Sequence, residues 1–126
     1  MTLVIDASAA YGLLMADAWD STLEHNSELI APDLIVAELL NARWKAARSG
    51  RLAPASASIL EFLARVRIMP SLPYASSAAR LSERLGHPVY DCFYVAIAQQ
   101  ENVKLLTSDA HLGRKLRAHK LGSVLA

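Results

Sequence analysis

The chain has 126 residues, 53% hydrophobic and 20% charged, with 13 Lys and Arg against 12 Asp and Glu for a net charge of +1. These figures predict a single domain over residues 1–126, with ample material for a core and too little charge for a disordered chain. The charge total gives no bulk signal of a nucleic-acid binder, and the single cysteine, Cys92, excludes an intrachain disulfide and predicts a reduced, cytoplasmic protein.

The longest stretch free of Asp, Glu, Lys and Arg, residues 68–79, is too short for a membrane span and contains Pro70 and Pro73. Residues 1–15 lack a basic start and carry Asp6 inside their apolar run, which argues against a signal peptide. Leu3-Val4-Ile5 followed at once by Asp6-Ala7-Ser8 reads as a buried strand turning into a helix. Helices are predicted over residues 9–15 and 18–25, then a second strand over 29–31, stopped by Pro32. Proline suits the first turn of the next helix, predicted over residues 33–49. Leu34, Ala37, Leu40 and Trp44 fall near one face of it, and Gly50 is its expected C-cap. Pro54 opens another helix, with Ile59, Leu60, Phe62, Leu63 and Val66 as its core side. Ile68 and Met69 predict a brief third strand. A helix over residues 75–85 stops at Gly86, and Pro88 starts the most apolar helix of the chain, residues 89–100. Residues 103–106 predict a fourth strand. Ser108 or Asp109 caps a final helix to about His119, and residues 123–125 predict an edge strand.

Short apolar strands alternating with helices predict a parallel sheet covered on both faces, a three-layer α/β/α sandwich. Ligands of such sheets bind beyond the carboxyl ends of the strands. Asp6 follows the first strand and Asp109 the fourth, so neighbouring strands would bring both acids to one end. Each alone also reads as a helix N-cap. Asp91 stands on the most apolar helix with no Lys or Arg within one turn. A partly buried carboxylate there needs a partner elsewhere in the fold. Glu38 and Asn41 share one face of their helix. Clustered acids require protons or cations. Oxygen donors without a Cys or His set suit Mg²⁺ or Mn²⁺ rather than zinc. Such ions polarise a phosphodiester and activate water, so the donor set points to metal-assisted phosphodiester hydrolysis. His25, His87, His111 and His119 show no zinc-ligand spacing, and Cys92 reads as core packing.

Val4-Ile5-Asp6-Ala7-Ser8, Pro32 with Glu38 and Asn41, residues 90–98 (Tyr90-Asp91-Cys92-Phe93-Tyr94-Val95-Ala96-Ile97-Ala98) and Thr107-Ser108-Asp109 resemble, in order and distance, the four motifs of PIN domains. The resemblance covers nearly the whole chain. The stand-alone length and the Gly50-Arg51-Leu52 turn look most like VapC-type toxins. The resemblance implies a Mg²⁺- or Mn²⁺-dependent endoribonuclease that cleaves structured RNA such as transfer or ribosomal RNA. It implies a metal site of Asp6, Glu38, Asp91 and Asp109, with Asp6 and Asp91 as first-choice ligands. Ser8, Asn41 and Thr107 then become candidates for orienting the carboxylates. It further implies a homodimer and a small VapB-type antitoxin that blocks the site and carries the DNA-binding part. One departure is Leu112, where many relatives place a bulky aromatic three residues after the fourth-motif Asp. This change is expected to affect packing more than metal binding.

The charge total hides two acid-free basic stretches, residues 39–60 with Arg43, Lys45, Arg48 and Arg51, and residues 110–126 with Arg114, Lys115, Arg117 and Lys120. Of these, Arg43, Lys45, Arg114 and Lys115 are the candidates for RNA phosphate contacts. Trp44 and Tyr74 are candidates for base stacking or for packing, and Arg84 for reaching toward the Asp91 helix. A haloacid-dehalogenase-type phosphatase needs a second Asp where Ser8 stands. A response-regulator receiver needs an acidic pair and a Lys that are missing. The remaining rival is a PIN-like module that binds protein partners without cutting RNA.

Overall fold

The structure, a computed structural model, describes residues 1–25 and 28–126. Four strands, β1 (Thr2–Ile5), β2 (Glu28–Pro32), β3 (Arg67–Met69) and β4 (Lys104–Leu106), form one sheet in the order β3-β2-β1-β4. All three pairings are parallel, with Val4 opposite Ile30 on one side and Leu105 on the other. The two central strands are the most apolar, and Val4, Ile5, Leu29 and Ile30 are fully buried, as a sheet covered on both faces requires.

Seven helices complete the described chain: α1 (Ala7–Met15), α2 (Trp19–His25), α3 (Leu34–Arg48), α4 (Ser56–Ala64), α5 (Ala75–Leu85), α6 (Val89–Glu101) and α7 (Ala110–Ala118). The crossovers β1→β2 and β2→β3 run one way along the sheet, whereas β3→β4 runs back across it. Right-handed connections therefore put α1–α4 on one face and α5 with α6 on the other. Accordingly, α1 packs on α3 and α3 on α4, while α6 lies against β1, β2 and β4 with α5 outside it. This is the expected three-layer α/β/α sandwich, and its reversal of winding opens a crevice beyond β1 and β4. No helix among the described residues is long and apolar enough to cross a membrane.

Several local expectations are corrected. The core side of α3 is Ile35, Leu39 and Ala46, and the row through Leu34, Ala37, Leu40 and Trp44 lies beside it. Trp44 is 53% exposed, under the Arg48 guanidinium. The two rows are offset by about one residue on the helix, and hydrophobicity alone does not say which one meets the sheet. Leu60, on α4, points outward while Ile59, Phe62 and Leu63 are buried. Val103 precedes β4 rather than starting it, because Asn102 closes α6 in a left-handed conformation with φ 54°. Residues 122–124 form a 3-10 turn, and Leu125 after it makes one isolated parallel bridge to Leu105 in place of an edge strand.

Candidate metal centre

Asp6 stands where β1 ends and α1 begins. Its Oδ1 accepts the Ala9 N–H at 2.9 Å and the Ser8 hydroxyl at 2.7 Å, and it caps α1. Its own N–H donates to the Leu106 carbonyl at 3.1 Å, which extends the β1–β4 ladder into the site. Asp109 repeats the arrangement one strand over. Its Oδ1 accepts the N–H groups of His111 at 3.0 Å and Leu112 at 3.1 Å, and it caps α7. The capping reading of both acids is thus correct, and it accounts for one oxygen of each.

Glu38, one turn into α3, accepts at Oε1 from the Tyr94 hydroxyl of α6 at 2.7 Å, so it is held across the top of the sheet. Asp91, in the first turn of α6, has Oδ2 2.6 Å from His87 Nε2. The expectation that its partner lies elsewhere in the fold is corrected by this contact, which lies four residues back along the chain. In Glu38, Asp91 and Asp109 the second oxygen has no hydrogen-bond partner among the described residues and stays open to solvent. Each of these three carboxylates is locked by one atom and open at the other.

The electrostatics follow from this crowding. Burial pushes the Asp6 carboxyl above its ordinary range, against hydrogen bonds from Thr107, Ala9 and Ser8, and the Asp91 charge adds to the rise. Burial likewise raises Glu38, opposed by the Tyr94 hydrogen bond, with the charges of Asp91 and Asp6 again adding. Asp6, Glu38 and Asp91 therefore feel one another. One ligand atom each from Asp91, Asp109 and His87 lie within 4.8 Å of one another. Among the described residues, no Lys or Arg forms an ion pair with any of the four acids.

Such a set fits a hard divalent cation: fixed carboxylate oxygens, a shared negative field and no internal counter-charge. Of the four sequence-predicted ligands, Asp91 and Asp109 belong with His87 to the group of close ligand atoms among the described residues, and Asp6 and Glu38 are coupled to Asp91 by charge. Ser8 and Thr107 brace the ends of β1 and β4 at Asp6 and Asp109. Ser8 Oγ accepts the Ser108 N–H at 3.0 Å and lies 3.3 Å from Thr107 Oγ1, which accepts the Asp109 N–H at 3.1 Å. These contacts tie the β1 and β4 ends together. Asn41 shares with Ser8 and Glu38 the wall of one surface groove, which also holds Lys45.

The basic candidates divide. Lys45 lies beside Glu38, and Arg114 lines a groove with Asp109. Arg43 Nε donates to the Pro54 carbonyl at 3.0 Å, and Lys115 Nζ donates to the Gly86 carbonyl, so both hold loops in place. Tyr74 is buried and donates to Glu101 at 2.7 Å, which removes it from base stacking. Arg84 turns to the His119 carbonyl at 3.0 Å, away from Asp91. Leu112 is fully buried, a packing position as expected.

Cys92 is fully buried, and burial with the neighbouring Asp91 charge pushes its thiol up to about 11. The folded protein is expected to resist iodoacetamide at pH 8 and to react promptly in urea, as followed by mass spectrometry. Rapid labelling of the native protein would contradict the core assignment.

The sequence reading missed His87. It precedes α6, with Pro88 between it and the helix, so helical spacing rules gave no warning. The available signal was its four-residue distance from an acid without a local cation.

Comparison with known proteins places these features in context. The family model described as PIN domain matches residues 3–116. Ribonuclease VapC3 of Pyrobaculum aerophilum is 33% identical over 127 residues, spanning 94% of this chain and 97% of that protein. Exonuclease VapC9 of the same organism is 31% identical over 116 residues, spanning 90% and 85%. The crystal structure of PAE2754 from Pyrobaculum aerophilum superposes with a TM-score of 0.77 at 29% identity, covering 91% of this chain and 79% of that one.

Proposed function

Since the chain belongs to the PIN domain family, we propose that it is a VapC-type toxin, a Mg²⁺- or Mn²⁺-dependent endoribonuclease acting on structured RNA in the cytoplasm. The observation that carries this reading is the set of four carboxylates, each fixed by one oxygen with no Lys or Arg paired to it. The bound cation supplies polarisation of the scissile phosphate and an activated water. The residues of the chain set the geometry. Asp6 and Asp91 are the principal ligands, and Glu38 and Asp109 complete the set directly or through water. Ser8 and Thr107 hold Asp6 from the strand ends, and Asn41 borders the groove that phosphate would enter. Lys45 and Arg114 are the cations free to meet an RNA backbone on either side.

The reading includes a homodimer and a small VapB-type antitoxin as partners. The VapC names of the two relatives support the antitoxin. An exposed pair, Trp44 and Tyr90, beside the half-buried Leu40 and Glu38 offers an apolar surface on which a partner segment would cover the site.

The test uses purified chain with total RNA in three arms: Mg²⁺, EDTA, and Asp91→Asn with Mg²⁺. Discrete internal fragments in the first arm only are expected. Progressive shortening from an end would instead indicate exonuclease action. Equal cleavage in all arms would remove the site assignment. No cleavage by folded protein with any RNA would favour the silent binding module.

A further inference from the structure

His87 is only 5% exposed, although it lies between two helices at the rim of the sheet. Its backbone is held from both directions by Ser82. The His87 N–H donates to the Ser82 carbonyl at 3.2 Å, and the Ser82 hydroxyl donates to the His87 carbonyl at 2.6 Å. Gly86 closes α5 in a left-handed conformation with φ 59°, which a side chain would strain. Lys115 of α7 anchors the Gly86 carbonyl. The ring lies 5.6 Å from that of His111, at the start of α7. The imidazole therefore has little freedom, and its Nε2 meets Asp91 Oδ2 at 2.6 Å.

The other ring nitrogen settles the tautomer. Nδ1 is buried and has no hydrogen-bond partner among the described residues. A hydrogen on Nδ1 would be orphaned, at the desolvation cost of an unmet donor. A hydrogen on Nε2 is received by the carboxylate, leaving only a bare lone pair on Nδ1. Nε2–H thus donates to Oδ2, and Oδ1 is the oxygen left without a hydrogen-bond partner among the described residues. A carboxylate that binds metal gains from being hydrogen-bonded at its outer oxygen, because its orientation is set before the ion arrives.

We infer that His87 is a positioning residue that fixes the Asp91 carboxylate for the divalent cation, acting through Asp91 and not as a ligand. The inference rests on the metal centre proposed above. It adds a side chain beyond the acids and the hydroxyls that brace them, and it makes the α5–α6 junction part of the site's construction.

The experiment measures Mn²⁺ binding to the full chain by calorimetry, without RNA, for wild type, Asp91→Asn, His87→Ala, His87→Gln and Ser82→Ala. The Gln amide nitrogen reaches about as far as Nε2 and can restore the bond. His87→Ala is expected to weaken Mn²⁺ binding about 10- to 100-fold, and His87→Gln to recover most of it. Ser82→Ala, which loosens the His87 backbone without touching an acid, is expected to lose a few-fold, and it decides the matter if His87→Ala does not fold. Electron spin echo of bound Mn²⁺ is expected to show no imidazole nitrogen coupling. Wild-type affinity in the folded His87 and Ser82 variants, with Asp91→Asn impaired, would overturn the role of His87 alone. A nitrogen coupling would overturn positioning in favour of direct ligation. Unchanged affinity in Asp91→Asn would overturn the metal centre itself, and the inference with it.

Discussion

Asp6→Asn will cut Mg²⁺-dependent RNA cleavage by about a thousandfold and will make the metal-free protein more stable at neutral pH. The first effect follows from the several kcal/mol that a cation contributes to phosphodiester hydrolysis, since each 1.36 kcal/mol is about tenfold in rate. The second follows from burial. Asp6 is almost fully buried and its carboxyl is pushed above the ordinary 3.8, with burial as the first cause. A raised carboxyl binds more protons in the folded than in the unfolded chain. Its contribution to stability is complete below pH 3.8 and disappears as pH rises through the folded value. Above pH 3.8 the unfolded chain gains more from ionising this group than the folded protein does, so burial of Asp6 works against the fold as pH rises. The Asn side chain keeps the oxygen that caps α1 and removes that charge.

Thermal unfolding in EDTA should show the Asn variant melting above wild type, with the gap widening from pH 4 toward pH 7. Glu28, which its hydrogen bonds to Arg67 lower, titrates with the opposite sign in both proteins and cancels in the difference. Adding Mg²⁺ should raise wild type and leave the variant unmoved, by about 2.7 kcal/mol at a hundredfold excess over Kd. A variant less stable than wild type at pH 7 without metal would show that its charge is not the cost. A loss of stability for function is what a locally frustrated site predicts.

The same frustration explains what could be read from the sequence. The sheet was legible because its strands are short and apolar, because Pro32, Gly86 and Pro88 mark where strand and helices stop and start, and because parallel crossovers have one hand. The acids were legible because a charge at a strand end or on an apolar helix conflicts with its surroundings. Asp91 is the clearest instance. Less legible were relations that depend on three dimensions. Tyr94 reads as one more apolar residue of α6, yet its hydroxyl holds Glu38 from the opposite face of the sheet. His87 sits off the helix, so its contact depends on the turn at Gly86. The row of α3 through Leu34, Ala37, Leu40 and Trp44 is as apolar as its inward row of Ile35, Leu39 and Ala46, and only packing against α1 and α4 selects between them. Arg43 and Lys115 have the right charge for RNA but are engaged by carbonyl groups, a competition that composition does not reveal.

Phe62→Ala will be the most destabilising single truncation on the helical face over β2 and β3, at about 3–5 kcal/mol. Phe62 is 0% exposed and meets the Trp19 ring edge-to-face at 6.0 Å, so α4 and α2 share one packed contact there. That loss is a large part of the ~5–15 kcal/mol by which a domain is stable. At roughly 4 °C per kcal/mol for a domain of this size, the melting temperature should fall by about 12–20 °C. Leu60→Ala, two residues away on the same helix, should cost less than about 0.5 kcal/mol, because Leu60 is 55% exposed. The sequence pattern places both residues on one core side, so the pair measures which orientation of α4 is real. Comparable losses at the two positions would mean that α4 is rotated from its place in the structure or that Leu60 is covered by a partner in solution. Concentration-dependent melting would separate these, since only the second shifts with protomer concentration. Mn²⁺ affinity should be unchanged in folded Phe62→Ala, because α4 supplies none of the carboxylates and the strand ends that hold Asp6 and Asp109 are tied to each other rather than to it.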